Sequence, residues 1–241
     1  MLEYLKMFGI TSFLTNNHLY NLDFIWSRLY NVNIGERFVF NRKEVYMSLL
    51  YSLPGLLVAI VFHEFSHGYV AYALGDNTAK EAGRLTLNPI KHIDPVGFIA
   101  MLVFRFGWAK PVPINPMNFK NRKRDTLLVS VAGPTANFLI ATIIVVVFKA
   151  NFIKNPLIIE MLLITLWYNI MLGVFNLLPF PPLDGSKIVA SLLPNKIEYY
   201  FYKYERYFYL ILILLIITDM IDKILSPIIY LVINTLLRIL V

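Results

Sequence analysis

Long uncharged apolar runs alternate along this chain with short charged clusters, and the runs have the length of membrane helices. Residues 126–148 are 23 consecutive positions without a charge, enough to cross a hydrocarbon layer of about 30 Å. Residues 155–183 hold a single charged side chain, Glu160, and residues 45–62 form another uncharged run that leads straight into His63. The pattern predicts helices over residues 46–74, 125–148 and 156–178, with Pro54 and Gly55 inside the first, where membrane helices tolerate them. Two shorter runs, 207–218 and 224–237, predict a closing helical pair. Ahead of them Tyr199, Tyr200, Tyr202, Tyr204, Tyr207 and Tyr209 cluster as an interfacial aromatic belt would. The apolar run that starts at Pro95 is too short to cross as a helix and lacks strict alternation, so a re-entrant segment or a β-hairpin is expected near 95–106. Pro111, Pro113 and Pro116 mark 107–123 as a loop, and Pro179, Pro181 and Pro182 open a bend followed by a polar segment to residue 206.

The expected fold is therefore an all-α polytopic membrane protein with about five to six transmembrane helices. Three parts follow from the same pattern. Residues 1–44 read as an interfacial N-terminal extension, 45–195 as a membrane-embedded core, and 196–241 as a C-terminal membrane hairpin.

Composition agrees: 58% of residues are hydrophobic and 15% charged, against about 45–50% and 25% in soluble domains. The chain has no cysteine, so disulfides and thiolate ligands are excluded and any metal must bind through His, Asp or Glu. The net charge of +7 would suit nucleic acid, but no basic helix or aromatic RNA-binding motif is present, and that partner class is set aside. In a membrane protein such an excess belongs to cytoplasmic loops. Arg105, Lys110, Lys120, Arg122, Lys123 and Arg124 precede the second long helix, whereas the next connection carries only Lys149 and Lys154. The expectation is a multi-pass protein of the cell membrane with residues 75–125 on the cytoplasmic side. His63 and Asp184 then fall near that same face.

The chemistry concentrates in His63-Glu64-Phe65-Ser66-His67, an H-E-x-x-H motif near the end of the first long helix. Four residues turn a helix by about 400°, so the two imidazoles lie one turn apart on one face and both can reach a single ion. Glu64 lies on a neighbouring face, placed to take a proton from water at the metal. Three ionisable groups in an apolar helix are costly unless they pair or bind something, which argues against an accidental match. A catalytic zinc takes about three protein ligands and keeps one position open. Asp184 is the best third candidate, because it follows the third long helix on the membrane face of His67 and the prolines before it can carry extended backbone into a cleft.

Together with their surroundings these residues resemble the site-2 protease family, peptidase family M50, in its small bacterial branch without a PDZ domain. The matching blocks are H-E-F-S-H-G-Y-V-A at 63–71, G-R-L-T-L-N-P-I-K-H-I-D-P-V-G at 83–97, W-A-K-P-V-P-I-N-P at 108–116, A-G-P-T-A-N at 132–137 and F-N-L-L-P-F-P-P-L-D-G at 175–185. The resemblance implies His63, His67 and Asp184 as zinc ligands and Glu64 as the base. It also implies substrates that are membrane-spanning segments, often trimmed beforehand by another protease. Asn176 would lie near the substrate or behind the metal ligands, and Asn137 matches the asparagine of the A-G-P-x-x-N block. His92 is a further candidate near the site, with a structural histidine paired with Asp94 as the alternative.

The expected activity is zinc-dependent hydrolysis of peptide bonds within or next to transmembrane segments. The partners are then transmembrane protein substrates and the lipid bilayer, with a homo-oligomer left open. The alternatives are a divalent-metal transporter and a catalytically inactive membrane scaffold.

Overall fold

The computed structural model describes residues 42–240 apart from 105, 106, 151 and 219. The expected interfacial extension over 1–44 lies outside the described residues up to position 41. Where the chain is described it is helical, and no strand occurs among the described residues. The first helix, α1, runs Arg42–Ala73 with Pro54 inside it. Its end is enforced by Gly75 at φ +104°, a backbone conformation that only glycine adopts without strain.

Behind that turn the fully buried Asp76 carboxylate ties distant segments together. It accepts hydrogen bonds from the Asn115 N–H at 2.7 Å, the Asn118 Nδ2 at 2.7 Å and the Thr78 N–H at 3.1 Å. The last of these opens the one-turn helix α2, Thr78–Glu81. The carboxyl itself is held below the usual carboxylate range: burial opposes ionisation, but the Thr78 hydroxyl and the amides of Asn115, Asn118 and Thr78 outweigh it.

Residues 95–104 correct one expectation. Pro95–Phe104 is a helix, α3, and not a β-hairpin. Asp94 accepts a hydrogen bond from the Gly97 N–H at 2.8 Å, and proline stands at the first helical position, so the local start signals favour a helix. The only pairing nearby, among the described residues, is a single antiparallel bridge between Ile93 and Ala109. Lys110 N–H donates to the His92 carbonyl at 2.9 Å, and a Cβ on Gly97 would lie 2.2 Å from the Trp108 carbonyl oxygen. The chain thus comes back to the base of α3, and the 107–118 segment continues from there toward α1.

The second long helix, α4, spans Arg122–Lys149. Asn121 and Asp125 cap it reciprocally: the Asn121 side chain accepts from the Arg124 N–H at 3.1 Å and Asp125 accepts from the Asn121 N–H at 3.0 Å. The third, α5, spans Pro156–Asn176, with Asn155 as its cap and proline at its first position. These two helices pack extensively against one another. The buried stripe of α4 reads Val129, Ser130, Gly133, Pro134, Asn137, Ala141, Ile144, Val145, the three-to-four spacing of one helical face. Its other side exposes Leu139, Ile143 and Val146, a surface that suits acyl chains and not water. Gly55 lets α1 approach α5 closely, since a Cβ there would meet Thr165 Oγ1 at 2.9 Å and Cα at 3.0 Å.

The polar segment after the proline bend holds two helices the hydropathy pattern did not announce: α6, Asp184–Leu192, and α7, Asn195–Lys203. Glu198 on α7 receives Arg122 at 2.8 Å and Lys123 at 3.1 Å, which fastens this segment to the start of α4. Helices α8, Glu205–Ile217, and α9, Met220–Leu240, close the chain. α9 buries one stripe, Ile221, Leu225, Ile229 and Ile233, and packs against α5 and α4. Against an expectation of about five to six spans, three described helices are long and apolar enough to cross a membrane: Ser52–Ala73 within α1, Arg122–Lys149 and Pro156–Asn176. The 13 residues of α8 reach only about 20 Å at the helical rise.

Candidate metal centre

His63 and His67 lie one turn apart on α1, and both rings point away from lipid into the bundle, 4% and 6% exposed. Asp184, 5% exposed, is the first residue of α6. It reaches the histidines because Gly185 lets α6 start against the end of α5: a Cβ on Gly185 would lie 2.2 Å from the Leu177 carbonyl oxygen and 2.3 Å from that of Leu178.

Three donor atoms converge. His67 Nε2 stands 3.0 Å from His63 Nε2, and Asp184 Oδ2 stands 3.1 Å from the former's partner His63 and 2.9 Å from His67. The partners behind them decide their protonation. His67 Nδ1 lies 2.7 Å from the Val129 carbonyl, which can only accept, so Nδ1 carries the hydrogen. His63 Nδ1 lies 2.7 Å from Asn137 Oδ1 and donates in the same way. In the neutral rings both Nε2 atoms therefore present lone pairs to one another and to a carboxylate oxygen. Such an arrangement is repulsive unless a cation sits among the three. Corners of a triangle of this size lie about 1.7 Å from its centre, so one ion at zinc's ligand distances of about 2.0–2.2 Å can touch all three. The donor set fits zinc, with the second-sphere hydrogen bonds that metal-binding histidines require.

Asp184 supplies the carboxylate of the set, its Oδ2 turned to both histidines. Lys187 Nζ approaches its other oxygen, Oδ1, at 3.3 Å. Space for the imidazoles comes from Gly133 on α4, where a Cβ would lie 2.4 Å from His67 Nε2 and 2.7 Å from His63 Nε2.

Glu64 is half-buried beside the trio, and its Oε2 accepts the Val112 N–H at 2.8 Å. The strand-like stretch that carries Val112 is held from behind by Arg84, which donates to the Lys110 carbonyl at 2.7 Å and the Pro111 carbonyl at 3.2 Å. A cavity of about 180 Å³ opens on His67 and Asp184 between Val112, Ile114, Phe119 and Val129. A mostly apolar chamber thus meets two members of the donor set, His67 and Asp184.

The other sequence candidates separate. Asn137 stands directly behind His63, as described. Asn176 turns its Nδ2 to the Leu172 carbonyl of its own helix at 3.0 Å. His92 is fully buried and stands apart from the donor cluster, which comprises His63, His67 and Asp184. Its Nε2 meets the Thr86 carbonyl at 2.7 Å and not Asp94, whose carboxylate caps α3. Sequence reasoning did not single out Gly133, Val112, Arg84 or Asn169. For Asn169 a signal existed, since an amide within an apolar helix is costly without a partner. The others depend on close approaches that no spacing rule reports.

Comparison with known proteins follows the same lines. The model of peptidase family M50 matches residues 147–218. YwhC of Bacillus subtilis, provisionally named a zinc metalloprotease, is 40% identical over 188 residues, covering 73% of this chain and 84% of that protein. Rip2 of Mycolicibacterium smegmatis, also provisionally named a zinc metalloprotease, is 26% identical over 71% of this chain and 68% of its own length. Zinc metalloprotease MJ0392 of Methanocaldococcus jannaschii is 29% identical over 65% of this chain and 38% of its own length. No solved structure gives a significant match.

Proposed function

The chain belongs to peptidase family M50 and is a zinc metalloprotease, and from that premise we propose that it hydrolyses peptide bonds within or next to transmembrane segments of other membrane proteins. The observation that carries this reading is the place of the donor set. His63 and His67 both lie within Ser52–Ala73 of α1, a stretch long and apolar enough to cross a membrane. A site on such a stretch meets peptide bonds that ordinary proteases do not reach.

In this reading His63, His67 and Asp184 hold the zinc, which supplies Lewis acidity to polarise a carbonyl and acidify water. Glu64 is the general base. Its carboxylate takes the proton that water loses on attack and returns it to the departing amine nitrogen. The Val112 N–H bonded to Oε2 fixes the carboxylate, leaving Oε1 as the atom that handles the proton. Buried walls at Val112 and Val129 keep bulk water away from the chamber and favour apolar substrate side chains. A substrate helix must unwind locally first, because its carbonyls are tied in its own hydrogen bonds.

Orientation belongs to the same proposal: the basic residues 105–124 face the cytoplasm and the site opens toward that side of the cell membrane. The Glu64→Gln enzyme tests the reading. Gln keeps the shape and the bond to Val112 but cannot take a proton, so zinc content should stay normal while cleavage of a transmembrane substrate falls about 10²-fold or more. Quantitative proteomics of single-pass membrane proteins, with wild-type and Glu64→Gln cells compared, identifies the substrates. Cleavage at the wild-type rate by Glu64→Gln rejects the mechanism.

A further inference from the structure

Both histidines of the donor set are backed by α4, but only His63 is backed by a side chain, and that side chain has a second one behind it. Asn169 lies in the middle of α5 and is fully buried, as is Asn137. We propose that Asn169 is a positioning residue of the metal centre, acting through Asn137 to decide which nitrogen of His63 faces the ion. This rests on the reading of His63, His67 and Asp184 as the zinc ligands.

The polarity of the chain is set by two backbone carbonyls, which can only accept. Asn169 Nδ2 donates to the Thr165 carbonyl at 2.8 Å, so its amide is turned with Oδ1 outward from its own helix. That oxygen accepts from Asn137 Nδ2 at 3.0 Å, and the same nitrogen donates to the Ala59 carbonyl of α1 at 2.9 Å. Both Asn137 amide hydrogens are thereby consumed. Its remaining polar atom, Oδ1, faces His63 Nδ1 at 2.7 Å and forces the hydrogen onto that nitrogen. Nε2 is left as a lone pair 3.1 Å from Asp184 Oδ2.

A flip of either amide would set N–H against N–H or oxygen against oxygen between two fully buried side chains. Without Asn169, one hydrogen of Asn137 loses its acceptor, and only the Ala59 carbonyl still holds the amide with Oδ1 toward His63. The cost then falls on the metal, because an inverted Asn137 offers N–H to His63 Nδ1 and favours the tautomer whose hydrogen points at the ion. Outer partners of metal-binding histidines typically change affinity by about 10–100-fold when removed.

The test is zinc affinity, measured by competition with a chromophoric chelator on the detergent-solubilised full-length protein. Asn169→Leu keeps the branched shape and removes the acceptor, and zinc should bind about 10-fold more weakly. Asn169→Ser is the milder second variant: its hydroxyl can still bond the Thr165 carbonyl one turn back but is too short for Asn137, so it should weaken zinc in the same direction. In an Asn137→Leu background either change should add nothing further, the non-additivity expected of residues that act in series. Wild-type zinc binding by Asn169→Ser, or losses that multiply in the double variant, would make Asn169 mere glue between α4 and α5 and overturn the proposal. Failure of the underlying site reading looks different: His67→Ala would then keep its zinc.

Discussion

Replacing Gly133 by alanine adds one methyl group at the point where the two imidazoles meet. That carbon would lie 2.4 Å from His67 Nε2 and 2.7 Å from His63 Nε2, whereas ordinary carbon–nitrogen contacts begin near about 3.4 Å. The rings must give way by about 1 Å, a displacement that at a reacting centre costs on the order of 10². They have little freedom to do so, since each Nδ1 is already held at 2.7 Å, by Asn137 and by the Val129 carbonyl. The clash is with side-chain ends and not with backbone, so the helix packing survives. Alanine also favours the interior of α4 over glycine by about 1 kcal/mol. Gly133→Ala should therefore keep its thermal midpoint without metal and lose zinc affinity by about 10–100-fold. Chelator competition and a detergent melt of the metal-free protein read the two quantities separately. Wild-type zinc affinity in Gly133→Ala would show that the donor atoms do not meet where the structure places them.

Three further outcomes follow from other parts of the molecule. Asp184→Ala should lose most of its zinc, since it removes the anionic donor; full occupancy measured by metal analysis would reject the ligand assignment. Asp76→Asn should lower the thermal midpoint above pH 5, and the difference from wild type should shrink as pH falls below the usual carboxylate range. The depressed carboxyl stabilises the fold fully above the unfolded value of about 3.9 and loses that effect as pH falls through the folded one. A difference between the two proteins that grew toward low pH would contradict that sign. Single cysteines placed within 107–124 should resist membrane-impermeant thiol reagents in intact cells while a cysteine at Lys154 labels, and the reverse pattern would move the site to the outer face.

Much of the site could be read along the chain because its recognition is local. The four-residue interval between His63 and His67 already puts two imidazoles on one helical face, and Glu64 travels with them. The three long spans were legible for a similar reason: a run of apolar residues must satisfy its backbone internally in lipid, and a helix does so without knowing its neighbours. Asp184 was legible as a candidate through its place after the third span. Its meeting with the histidines, 2.9 Å from His67 across 117 positions, was a matter for the tertiary fold alone.

The same division explains the misreadings. Residues 95–104 carry weak periodicity, and Asp94 with Pro95 tipped them into a helix. Residues 184–203 looked like a polar connection, but their helices are held by groups far away in sequence, Arg122 and Lys123 on Glu198. His92 sits in one of the motif blocks yet serves the Thr86 carbonyl. Gly133, Asn169 and Val112 matter only through what lies against them after α1, α4 and α5 have packed, and no local interval encodes a contact between helices. Sequence by itself determined which chemical groups enter the membrane and on which helical face; only packing decided which of them meet, because hydrogen bonds and close approaches act over a few ångströms between residues that the chain keeps far apart.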